Sequence, residues 1–264
     1  MLKRNVFGQP VIVKRWLVRV FGSMFYRKFR WKNSTDIQGA EIFQDLPDSN
    51  VLLVSNHQTY FADVTLMVYS IQSSLIGRPN EIKLKGFLKC PKANFYFIAA
   101  EETMKSGFLP KVYARAGAIT VKRTWRAKGK EINREVDSND TTNIAMALSD
   151  GWVISFPQGT TTPFAPGRKG TAHIIKEHKP IVIPIVINGF RRAFDKKGLF
   201  TKKKGTTLSL WIKPPLKINY EDNVETIMKQ VIEGIEQSQE YNLVEKDLPI
   251  LDRDSLQKQK SPSS

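Results

Sequence analysis

The chain has 264 residues, with 41% hydrophobic and 10% aromatic side chains, enough for one large folded domain or two small ones. A single cysteine, Cys90, excludes an internal disulfide framework and a multi-cysteine metal site, and three histidines disfavour a zinc site. The formal net charge of +16 points to a polyanionic partner, either nucleic acid or an anionic membrane surface.

The first element already carries much of that charge. Residues 1–32 hold nine basic side chains and no acid. Within VIVKRWLVRVFGSMFYRKFRWK, Trp16, Val20, Phe21, Met24 and Phe25 recur at near-helical spacing between the cations. No uncharged apolar run reaches the ~20 residues of a transmembrane helix, and charge interrupts any secretory signal. The segment reads as a basic amphipathic helix at a membrane surface, with aromatics in the headgroup boundary. The alternative is a helix packed on the core whose cations snorkel to water.

After residue 50, short apolar runs alternate with helical patterns. Strands are expected at 51–55, 95–99, 118–121, 152–156, 181–187 and 208–212, and helices at about 61–74, 107–116, 139–150 and 169–178. A last helix spans about 224–241, with Asp222 and Glu225 as a capping box and Ile227, Val231, Ile232 and Ile235 as its apolar stripe. This alternation predicts an α/β fold, a mostly parallel central sheet flanked by helices. Three parts follow: a basic helical segment at 1–35, an α/β domain at 36–244, and a polar tail at 245–264 expected to be disordered.

Parallel strands present functional loops at their carboxyl ends. The first strand leads into Ser55-Asn56-His57-Gln58-Thr59-Tyr60-Phe61-Ala62-Asp63, the fourth into Phe156-Pro157-Gln158-Gly159-Thr160, and the third ends in Lys122-Arg123. Histidine is the commonest general base because its pKa lies near neutrality, and a carboxylate fixes its tautomer. With no nucleophile elbow or reactive-cysteine context, His57 would activate a substrate hydroxyl. Lys122 and Arg123 could hold a phosphate or carboxylate, while Gly159 lets backbone approach a ligand beside the Thr160 hydroxyl. Plainer readings exist. Asp63 could complement a helix dipole, His57 could bond backbone at a strand end, and the Pro-Gly segment could be only a turn. His173 and His178 read as surface residues, and Cys90 as a buried structural one.

In order along residues 50–190, these segments resemble the glycerolipid acyltransferases of the lysophosphatidic acid type. NHQTYFAD is similar to their NHxxxxD motif, GAITVKR to their second motif with Arg123 at its arginine, FPQGTTTPFAPGRKG to their FPEGTR loop with a basic-glycine element at Lys169-Gly170, and Ile183-Pro184-Ile185-Val186 to their fourth motif. The resemblance implies acyl transfer from acyl-carrier protein or coenzyme A to a lysolipid hydroxyl, with His57 as base and Asp63 as its orienting partner. Asn56, Lys122, Arg123, Pro157, Gln158, Gly159, Thr160, Arg168 and Lys169 would bind substrate. It implies no cofactor beyond the acyl donor as co-substrate, no metal, and a peripheral position on the cytoplasmic face of the membrane through a basic N-terminal helix pair.

Three departures from the family pattern stand out. Five residues separate His57 from Asp63, one more than the motif has; Gln158 replaces its glutamate; and Thr161 replaces its closing arginine. On a helix the extra residue would rotate the acid by about 100°, so His57 is expected on the loop before the helix, with that helix starting near Tyr60. The changes at Gln158 and Thr161 raise an alternative acceptor, an amino-acid lysolipid of the ornithine or glycine type. Other classes are a lipid-binding homologue without turnover and a non-enzymatic basic binder. No recognition helix or stacking-aromatic signature marks a nucleic-acid partner.

Overall fold

Strand Val51–Ser55 (β2) is buried on both faces, as its unbroken VLLVS run requires of a central parallel strand. Its side chains alternate. Val51 and Leu53 enter one hydrophobic cluster, Leu52 and Val54 the other. Both faces of the sheet are therefore covered by apolar packing. The computed structural model describes residues 3–101, 115–122, 126–127, 130–131 and 138–242. Arg123, most of the helix expected at 107–116, the tail at 245–264 and the side chain of Phe21 lie outside the described residues.

The sheet has seven strands. They are Ser34–Gln38 (β1), β2, Phe95–Ala100 (β3), Ala118–Val121 (β4), Trp152–Ser155 (β7), Ile181–Asn188 (β8) and Thr207–Ile212 (β9), in the order β1-β9-β8-β2-β7-β3-β4. Arg126–Ala127 (β5) and Lys130–Glu131 (β6) form a separate two-stranded ribbon. All pairings in the large sheet are parallel except β8 with β9. β1 was not expected from the sequence. Its STDIQ pattern is polar because it is an edge strand with one buried side chain, Ile37. It also carries the sheet across the boundary drawn at residue 35.

One face is covered by Ala62–Ser74 (α2), every residue of which is buried. A helix becomes buried all round only when a second layer covers it, and Val11–Arg30 (α1) with Leu84–Lys89 (α3) supply that layer. Tyr69 stacks on Phe87 at 3.9 Å and donates its hydroxyl to the Gly22 carbonyl at 2.7 Å. The opposite face carries Ser138–Asp150 (α4), Lys169–His178 (α5) and Val224–Gly234 (α7), through Ile144, Ala172 and Ile227 among others. α7 stops seven residues short of Tyr241, since Glu236 takes a left-handed φ of 56°. Its cap is Asn223, whose side chain accepts from the Thr226 N–H at 2.8 Å, one position beyond the expected Asp222.

α1 turns one face to the core and another to solvent. Val18, Phe25 and Phe29 are buried against the core, while Ile12, Trp16, Val20 and Met24 form an exposed apolar row at four-residue spacing. Phe25 thus belongs to the core and not to the outward row. Lys14 does not snorkel. Its Nζ is buried, donates to the Phe95 carbonyl at 2.5 Å and lies 4.0 Å from the Tyr96 ring centre. Burial lowers its pKa to about 7, opposed by the charge of Asp150.

Candidate active site

β2 lies between β7 and β8, and the carboxyl ends of all three meet at one edge of the sheet, the usual place for a site in such folds. The segment leaving β2 is fastened before it reaches α2. Asn56 is buried and continues the ladder with its amide, donating to the Ile187 carbonyl at 2.9 Å and accepting from the Ile187 N–H at 2.8 Å. Gln58 accepts from the N–H groups of Phe190 and Arg191 at 2.9 and 3.3 Å, capping the short helix Phe190–Ala193 (α6).

Between these two anchors stands His57, 15% exposed, its ring stacked on Phe156 at 3.9 Å. Its Nδ1 is 3.0 Å from Asp63 Oδ2. Asp63 is fully buried in the first turn of α2, and a carboxylate there only accepts. With the carboxylate as acceptor, Nδ1–H is the donor in this bond. The same carboxylate accepts from the Gln58 N–H at 2.6 Å, the Thr59 N–H at 3.0 Å and the Thr59 hydroxyl at 2.6 Å. The additional residue in the His–Asp interval is absorbed here. The loop closes around the carboxylate, and α2 begins at Ala62, two residues after the expected start.

The other predicted residues divide into two groups. Pro157, Gly159 and Thr160 form the turn beside His57: Gly159 has φ 63° and its N–H returns to the Phe156 carbonyl at 2.9 Å, which an L side chain would resist. Thr160 is half-buried. Arg168, half-buried, flanks α5, and its backbone N–H donates to the Pro157 carbonyl at 2.8 Å. Gln158, by contrast, is 2% exposed and donates its amide to the Ala165 carbonyl at 2.9 Å and to Gln237 Oε1 at 3.2 Å. Its side chain braces the loop from behind. Lys169 pairs with Glu225 of α7 at 2.5 Å on the surface. Lys122 is exposed at the end of β4, and β7 and β3 stand between β4 and β2, a separation of roughly 14 Å. Among the described residues no group of His, Cys, Asp and Glu could hold a metal ion.

One cation at this edge was not anticipated. Arg191, on α6, donates Nη2 to the Thr161 carbonyl, so a guanidinium reaches the position where the third motif lacks its arginine. The signal available for it was Gly189-Phe190-Arg191-Arg192 directly after an expected strand. His178 is half-buried, His173 is exposed, and Cys90 is fully buried.

A family model described as Acyltransferase matches residues 34–188, more than half of the chain and the span that contains every loop of this site. The chain belongs to the acyltransferase family. Among solved structures, this acyltransferase resembles PlsC, the 1-acyl-sn-glycerophosphate (LPA) acyltransferase of Thermotoga maritima, at 20% identity. That match has a TM-score of 0.55 and covers 89% of this chain and 83% of the other, a likeness of fold. Comparison with curated protein sequences gives no match.

Proposed function

We propose that this acyltransferase moves a fatty acyl group from the thioester of acyl-carrier protein or coenzyme A to a hydroxyl of a lysolipid of the 1-acyl-glycerol-3-phosphate type. The observation that carries this reading is the His57–Asp63 bond at 3.0 Å beside the 156–160 turn, which engages Nδ1 and leaves Nε2 for the acceptor's proton. The acceptor hydroxyl passes its proton to Nε2 as its oxygen attacks the thioester carbonyl carbon. The new C–O bond forms, backbone N–H groups at the site stabilise the oxyanion, and the C–S bond breaks as the proton passes on to the leaving thiol.

Arg191 beside Thr161 favours a phosphate-bearing acceptor over an amino-acid lysolipid, and Gln158, held by Ala165 and Gln237, leaves the acceptor to its neighbours. Arg168, half-buried at the start of α5 with its N–H on the Pro157 carbonyl, adds a second cation beside the turn. A small apolar cleft lies between α1, α2 and β3. Val64, which follows Asp63, and Val68, Phe87 and Phe97 line it, an apolar approach for the acyl chain next to the base. The enzyme sits peripherally on the cytoplasmic face of the membrane, with the exposed row of α1 in the lipid headgroup boundary. Among the described residues no helix is long and apolar enough to cross a membrane.

The test pairs acyl-carrier protein and acyl-coenzyme A donors with 1-acyl-glycerol-3-phosphate and lyso-ornithine lipid acceptors, using wild type and His57→Ala. Preference for the glycerophosphate acceptor and a loss of ~10²–10⁴-fold in the variant are expected. Undiminished transfer by His57→Ala removes the base assignment. A wild type that binds lysolipid but never transfers supports a homologue without turnover.

A further inference from the structure

The segment 195–204, DKKGLFTKKK, packs against the loop that carries His57. The backbone carbonyls of Lys196 and Lys197 accept from the Tyr60 and Phe61 N–H groups at 3.2 and 3.0 Å. Gly198 lies so close that a Cβ there would meet the Ala62 nitrogen at 2.7 Å. The segment's one acid is spent internally: Asp195 accepts from the N–H groups of Leu199 and Phe200 at 2.7 and 2.8 Å, which fixes the turn. Lys196, Lys197, Lys202, Lys203 and Lys204 are all exposed, and among the described residues no ion pair involving any of them is formed. In their midst Phe200 is 72% exposed.

On its far side the segment meets the end of α1. Lys28 donates to the Leu199 carbonyl, and the Gly205 N–H donates to the Lys32 carbonyl at 2.7 Å. Next to that junction Trp31 is 71% exposed. A second basic surface with projecting aromatics is thus continuous with α1 on one side and with the His57 loop on the other.

We propose that segment 195–204 is a membrane-docking element for anionic lipid, in which Phe200 enters the headgroup boundary and the five lysines meet lipid phosphates. Lysine is a flexible point charge, suited to a diffuse anionic surface, whereas recognition of fixed carboxylates on a carrier protein favours the rigid fork of arginine. The two exposed aromatics, Phe200 and Trp31, are of the kind that anchor in an interface. Docking here holds the His57 loop at the lipid surface where a lysolipid acceptor lies. The inference rests on the membrane reading of α1 but concerns a separate element.

The test is sedimentation of the full chain with vesicles of phosphatidylcholine containing 30% phosphatidylglycerol, about the anionic fraction of a strongly charged leaflet. Lys202→Gln/Lys203→Gln/Lys204→Gln and Phe200→Ser are compared with Trp16→Ser in α1, each checked by its thermal unfolding midpoint. Near-surface lysines contribute roughly fivefold each, so the triple variant is expected to weaken binding by at least tenfold and Phe200→Ser by severalfold. Loss of binding in Trp16→Ser alone, with the 195–204 variants unchanged, overturns this proposal and leaves the α1 reading standing. A wild type that does not bind overturns both. A raised KM for acyl-carrier protein with vesicle binding unchanged in the 195–204 variants assigns the surface to the donor and overturns the lipid proposal.

Discussion

The loop around His57 and the outer surface of α1 with segment 195–204 are both rich in polar side chains, yet they are organised in opposite ways. At the loop, Asn56, Gln58, Thr59 and Asp63 are buried or half-buried and their hydrogen bonds are made within the protein. On the outer surface the cations face water, and Trp16, Met24, Trp31 and Phe200 stand exposed among them. Pre-organised groups serve chemistry, because they need no rearrangement as charge develops. Charges without fixed partners, beside exposed aromatics, serve binding to a surface of undefined detail. Exposure and satisfaction of the polar groups distinguish the two regions better than residue type does.

The strongest way to break this contrast is at Asp63. Asp63→Asn should lower kcat on the order of 10³-fold or more by releasing the His57 tautomer, with KM little changed. Chemical denaturation should also show a loss of about 2 kcal/mol, since the Gln58, Thr59 and hydroxyl donors lose their carboxylate. An effect on stability alone would make Asp63 a loop staple and not a partner of the base.

Gln158→Glu tests whether the glutamine is a brace. It restores the residue found in related motifs but sets a carboxylate against the Ala165 carbonyl and Gln237 Oε1, two acceptors. A destabilisation of ~1–3 kcal/mol is expected, read from the denaturation midpoint. A stabilised and more active variant would return this position to substrate binding.

Gly22→Val probes the seam between α1 and the core. A Cβ at Gly22 would lie 1.6 Å from Phe87 Cε1, so the ring or the helix must shift, at a cost of about 1–3 kcal/mol. Thermal unfolding should report it, and reshaping of the apolar cleft should change acyl-donor preference, since Gly22 and Phe87 both line it.

A pH-dependent effect concerns Lys14. Its folded pKa of about 7 lies below the ordinary lysine value of 10.5. Between these values the unfolded chain binds the extra proton, so stability rises with pH across that window. Below about pH 7 the full cost of a buried ammonium is present, and above 10.5 it is gone. Lys14→Met should flatten that rise in a series of melts, and an unchanged slope would show that another group causes it.

Much of the architecture was legible in the sequence because it is periodic. VLLVS reads as a strand buried on both faces, and β2 and β4 occupy the expected residues. The His–Asp constellation was legible as residue types in order, and the apolar runs before them put both at a strand's carboxyl end. Edge strand β1 was not, since a strand with one buried side chain has no apolar alternation to detect. The end of α7 was missed because a left-handed Glu236 overrides a helical pattern that continues beyond it.

What the sequence determined by itself is thus the layered α/β fold, the candidate His57–Asp63 pair and the basic character of the surface, all of which follow from local pattern and composition. Tertiary structure alone decided which polar groups are spent on holding the site together. Asn56 and Gln158 look like substrate contacts in the sequence but are satisfied by Ile187, Ala165 and Gln237. The Arg191 backbone and segment 195–204 meet the His57 loop from more than a hundred residues away. Hydrogen-bond partners and solvent exposure are properties of distant chain segments brought together, and no local reading of the residues contains them.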